Sequence, residues 1–177
     1  MFRGFYFLVL FLSSICLNAQ TDIIYNNLKE AYIFSEQAAI NLNEANRWIE
    51  RMQKETFSVD EYKQNIQKVR KIIYKAGKNL SLAADKSLSA KDESENIRCD
   101  CIENNSMICI SGFYSAISNF SEADKSFQQA IEASQSENIL KNVSKGKASL
   151  EVSIYQMKEA VKRLRNSFDD LNYCVVP

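Results

Sequence analysis

Cys99, Cys101, Cys109 and Cys174 are the side chains best suited to covalent chemistry, and their spacing argues for cross-linking over catalysis. If residues 1–19 are a cleaved export leader, as argued below, Cys16 goes with them and four of the five cysteines remain, an even number that in an exported chain favours disulfides over free thiols. The run Cys99-Asp100-Cys101, followed by seven residues before Cys109, is not a zinc knuckle, and the Cys-x-x-Cys of a redox pair is absent. Residues two apart pair poorly. Cys99 and Cys101 are therefore each expected to bond outward, one to Cys109 and one to Cys174, with the assignment open. A bridge to Cys174 closes a long loop, which the chain-entropy model credits with about 4 kcal/mol.

Other chemistry is thin. The chain has no histidine, which removes histidine triads, haem ligation by histidine, Glu-x-x-His di-iron sites and most zinc hydrolases. Gly4, Gly77, Gly112 and Gly146 are scattered, so no phosphate-cradling loop exists. The carboxylates Asp92, Glu93 and Glu95, and the pair Asp169 and Asp170, read as solvated surface charge and not as acid–base pairs. No catalytic residue, metal or cofactor is expected, and the chain is read as no enzyme.

Two polar pairings stand out. Asp124 and Lys147 fall on apolar stripes at about equal distances from a turn near Gln135, which would set them level on antiparallel helices as a partly buried ion pair. Such a pair fixes helix register, or else lines a polar pocket beside Ala38 and Ala45. Lys68, Lys71, Lys75 and Lys78 share one helix face next to Arg70. That face is either solvated or a contact for an anionic surface.

Long helices must carry these residues. Four stretches repeat apolar residues at steps of three and four, the spacing that holds side chains on one stripe of an α-helix. The first stripe runs from Ile24 through Leu28, Ala31, Ala38, Leu42, Ala45 and Ile49 to Met52, about 45 Å of helix. Ser58 and Glu61 form a capping-box start for the second, which continues through Tyr62, Ile66, Val69, Ile73, Ala76, Leu80 and Ala83 to Ala90. The charged cluster after Ala90 predicts a loop from about Asp92 to Asn105. The third stripe reads Ile110, Phe113, Ile117, Phe120, Asp124, Phe127 and Ile131, and the fourth runs from Leu140 to Leu171. The only proline is Pro177, so nothing interrupts these helices. Short connections make neighbours antiparallel, and the expected fold is an all-α, up-down-up-down four-helix bundle stapled by disulfides at one end. Phenylalanines of the third helix should sit over alanines of the first two.

Residues 1–19 read as a secretory signal peptide, with Arg3 before an apolar run and cleavage after Ala19, leaving 20–177 as one domain. Lipidation at Cys16 is the other fate of this leader, although Ile15 is bulky where such signals carry a small residue. No transmembrane span is expected, because the apolar run is short. Lysine plus arginine and aspartate plus glutamate number 22 each, which removes the charge footprint of a nucleic-acid binder.

The four-helix, two-disulfide plan resembles that of the secreted plant inhibitors of invertase and pectin methylesterase. The likeness is one of architecture alone, since their cysteines begin near the mature N-terminus. The expected role is that of a secreted or periplasmic, non-enzymatic interaction protein (inhibitor, immunity-type or adaptor) whose partner is another protein. The alternative is a small-ligand carrier or sensor binding between helices near Asp124 and Lys147. Off-stripe aromatics such as Tyr114 and Tyr155 would mark a partner surface if several are exposed together.

Overall fold

The computed structural model describes the backbone of residues 2–174 and the side chains of 19–171, 173 and 174. Residues 1–18, Cys16 among them, lie outside the residues whose side chains are described. Four α-helices follow one another: α1 (Phe2–Lys54), α2 (Val59–Asn96), α3 (Asp100–Glu132) and α4 (Ser136–Cys174). No strand occurs among the described residues.

Local sequence fixes where the helices start and stop. Ser58 accepts a hydrogen bond from the Glu61 backbone N–H at 3.3 Å, and the Glu61 carboxylate accepts one from the Ser58 N–H at 2.9 Å. These bonds satisfy two of the donors that a helix start leaves free. They also hold the Glu61 carboxyl below its ordinary pKa, with the Ser58 backbone bond as the largest cause. This contribution to stability is present above the unfolded carboxyl pKa and is lost as pH falls through the folded value. Ser58→Ala should cost about 1 kcal/mol, measured by urea unfolding at neutral pH.

The loop expected from Asp92 to Asn105 contracts to Ile97–Cys99. Charged residues do not break a helix when they face water, and Lys91 pairs with Glu95 one turn on while Ser94 donates to the Lys91 carbonyl at 2.7 Å. Arg98 makes the reversal with φ 57°, a left-handed conformation rarely taken by side chains other than glycine and asparagine.

Residue pairs across the seams give the packing. Glu30 of α1 meets Lys86 of α2 at 2.6 Å, and Trp48 lies under Lys68. Between α2 and α3, Arg70 meets Asp124 and Ser87 meets Cys109. Between α3 and α4, the Ser153 hydroxyl donates to the Ala116 carbonyl at 3.0 Å and Asn105 donates to Asp170 at 2.7 Å. In every pair of neighbours the residue numbers change in opposite senses. Of the four seams between adjacent helices, α1–α4, marked by Arg165 on Tyr32 and Gln53 on Ser144, is the least extensive.

The core stripes sit one residue away from some of the expected positions. On α3 the buried line is Ile102, Cys109, Phe113, Ala116, Phe120, Ala123, Phe127 and Ala130, while Ile117, Asp124 and Ile131 flank it. Small residues take the points of closest approach, and the larger isoleucines widen the stripe from its edge. Phe120 and Phe127 each lie against a glycine, smaller than the alanine expected. A Cβ added at Gly77 of α2 would lie 3.6 Å from Phe120, and one added at Gly146 of α4 only 2.7 Å from the Phe127 ring.

Candidate interaction face

The cysteines separate into three environments. Cys99, the residue before α3, pairs with Cys174 as a disulfide, their Cα atoms 5.7 Å apart. Cys101 is a free, exposed thiol and Cys109 a free, buried one, so the expected second bridge through Cys109 does not form. Helical geometry explains the difference: Cys101 and Cys109 are eight residues apart on one continuous helix, about 12 Å, beyond the reach of a disulfide. Cys109 instead packs against α2, its sulfur 3.7 Å from the Ser87 hydroxyl. Burial pushes its thiol from 9.0 up to about 12. Alkylation at mild alkaline pH should therefore label Cys101 in the folded chain and Cys109 only after denaturation, as read by mass spectrometry. Because only the unfolded chain readily loses this proton, the stabilisation from the neutral thiol declines as pH rises from about 9 towards 12.

Asp124 and Lys147 stand level, as their distances from the turn require, but they do not meet. Asp124 lies on the flank of α3 that faces α2 and binds Arg70 through two contacts of 2.6 and 3.0 Å, with Gln128 as a further partner of the same guanidinium. This hydrogen bonding holds Arg70 above its ordinary pKa. Lys147 turns to the other seam, 3.3 Å from Gln53 of α1 and 4.0 Å from Glu151. The buried Phe127 ring fills the space over Gly146, the neighbour of Lys147 in sequence. A double-mutant cycle on Arg70→Ala and Asp124→Ala should show coupling of about 0.5–1 kcal/mol that weakens with salt, whereas Asp124→Ala and Lys147→Ala should be additive. Arg70 stood beside the expected basic face, and its immediate neighbour, the core residue Val69, was the sign that it sits at a seam.

The basic face divides. Lys71, Lys75 and Lys78 point outward around the exposed Tyr74, while Lys68 folds over the Trp48 ring with its nitrogen 4.7 Å from the centroid. That contact is a cation–π interaction. Trp48 is partly buried, with Lys68 over its ring and the Arg51 guanidinium 5.7 Å from the same centroid.

Exposed apolar side chains gather instead on the outer side of α3 and α4. Met107 (53%), Ile108 (49%) and Tyr155 (67%) are exposed, and Tyr114 and Val152 extend the patch. Between the two helices lies a trough of about 490 Å³ lined in part by Ile108, Gly112, Tyr155, Glu159, Ala160 and Arg163. Gly112 makes it: a Cβ there would sit 2.9 Å from the Ala160 Cβ, so only glycine lets α3 approach α4 this closely. Small residues on the floor and large ones on the rim give a concave apolar surface. Tyr114 and Tyr155 were marked by their off-stripe spacing; Met107 and Ile108 were not, because adjacent apolar residues carry no helical period.

A second groove, of about 350 Å³, runs along the α1–α4 seam, with Ala39, Met157 and Val161 beneath Lys158, Lys162 and Arg165. Neither Lys158 nor Lys162 takes part in an ion pair among the described residues. No group of side chains suited to a metal ion occurs among the described residues, and no described helix is long and apolar enough to cross a membrane. No family model, no curated protein and no solved structure matches this chain.

Proposed function

We propose that this chain is an exported, non-enzymatic protein that works by binding another protein through a rigid helical face. In this reading its helices run up-down-up-down as an antiparallel bundle, and the Cys99–Cys174 bridge staples the chain end to the α2–α3 turn. The observation that carries it is the cluster of exposed apolar side chains around the α3/α4 trough. A soluble protein rarely leaves such a patch uncovered, and a concave apolar surface with polar groups at its edge is what a partner side chain enters. The chain's balanced charge supports a protein partner over nucleic acid.

A small-ligand carrier is the second reading, and the α1–α4 groove, not the Asp124 and Lys147 level, is the feature that supports it. An apolar floor beneath unpaired lysines suits a ligand with an anionic head and an apolar body. Native mass spectrometry after mild purification distinguishes the two. A retained protein chain supports the interaction role, a retained small mass supports the carrier, and a bare monomer from every preparation contradicts both.

A further inference from the structure

We infer that the partner of the α3/α4 face is a second copy of this chain, bound with the two α4 helices antiparallel across a two-fold axis midway between Glu159 and Arg163. The inference rests on the reading that this face binds protein, and it adds the identity of the occupant. Charge arrangement decides it. Glu159 and Arg163 both line the trough, both are exposed, and neither is in an ion pair among the described residues.

A two-fold contact must be self-complementary, because every residue meets the image of another from the same surface. Opposite charges one helical turn apart satisfy that condition when the helices cross antiparallel. Each copy's Glu159 then faces the other copy's Arg163, and one sequence motif yields two ion pairs. A foreign partner would have to supply the matching charges in the reverse order; a second copy has them by symmetry. The same operation carries Tyr155 of each copy to the height of Ser167 of the other, level with the stretch of α3 from Asn105 to Ile108, since Gly112 stands level with Ala160 and Asn105 bonds Asp170. Apolar contacts at the centre and ion pairs beside them are the usual division of labour in a stable interface.

Sedimentation equilibrium on the purified chain tests this, with the Cys99–Cys174 bridge intact and Cys101 alkylated so that no intermolecular disulfide supplies the association. The wild type should be a dimer with a dissociation constant in the micromolar range or tighter. Glu159→Arg and Arg163→Glu should each weaken it about tenfold, and the double swap should recover most of the loss, since the pair is restored in reverse. Both positions are exposed on a helix and both residue types are good helix formers, so the variants keep their fold, as circular dichroism would verify. A monomer throughout, single reversals that dimerise like the wild type, or a double swap no better than the singles would each overturn the inference. A monomer that still retains a foreign protein in native mass spectrometry overturns only the identity of the occupant and leaves the broader reading standing.

Discussion

Phe127→Ala should destabilise this chain by about 3–5 kcal/mol, among the largest losses available to a single substitution here. Phe127 is fully buried, and its ring lies directly on the backbone of Gly146 across the α3–α4 seam. Removing the ring opens a cavity that neither helix can fill, because both are continuous through this level. The pairing has a second, sharper consequence. A methyl group at position 146 would stand 2.7 Å from the ring, closer than real contacts allow, so the fully buried ring or the helix that carries it must shift. Gly146→Ala in the wild type should therefore cost about 1–2 kcal/mol, overpacking outweighing the gain in helix propensity. In the Phe127→Ala background the clash is gone, and Gly146→Ala should become stabilising by up to about 1 kcal/mol. Urea unfolding of the four variants measures this change of sign; a Gly146→Ala effect identical in both backgrounds would show that the two residues do not touch.

Cys174→Ser should lower stability by about 4 kcal/mol, an effect of similar size with a different origin. The bridge to Cys99 spans 75 residues of sequence, and closing so long a loop removes much freedom from the unfolded chain. The native contacts change little, so the loss should come with a larger denaturant dependence as the unfolded chain expands. Cys101→Ser and Cys109→Ser separate the remaining thiols. The first should be nearly neutral, as Cys101 is exposed and unpaired, and the second should cost more, since it places a hydroxyl in the site of a buried sulfur.

The helices were legible because their signals are periodic and local. The Ser58–Glu61 box starts α2 as its spacing requires, and alanines such as Ala31, Ala38, Ala45, Ala76 and Ala83 are all buried. Side-of-helix information was harder to read. Asp124 and Lys147 have the right height, but a shift of one residue in the α3 stripe, from the isoleucines to Ala116, Ala123 and Ala130, turns Asp124 to α2 and hands it to Arg70. The largest error in the cysteine pairing has the same root. Asp92 to Asn105 reads as a loop because charge hides the helical period, and a long loop would have let Cys109 swing back to Cys99 or Cys101. Once α3 begins at Asp100, Cys109 is fixed about two and a half turns along it and faces Ser87. The apolar trough was not readable at all, because it depends on Gly112 meeting Ala160, two small residues far apart in sequence.

Peptide mapping without reductant, after alkylation of the folded chain, tests the arrangement most directly, because one sulfur pairing reports on both export and topology. If the chain end lies against the α2–α3 turn of an exported bundle, peptides containing Cys99 and Cys174 are recovered linked, Cys101 is recovered alkylated, and Cys109 becomes alkylated only after denaturation. Recovery of all four cysteines as free thiols, or of Cys109 joined to Cys99, Cys101 or Cys174, would contradict it.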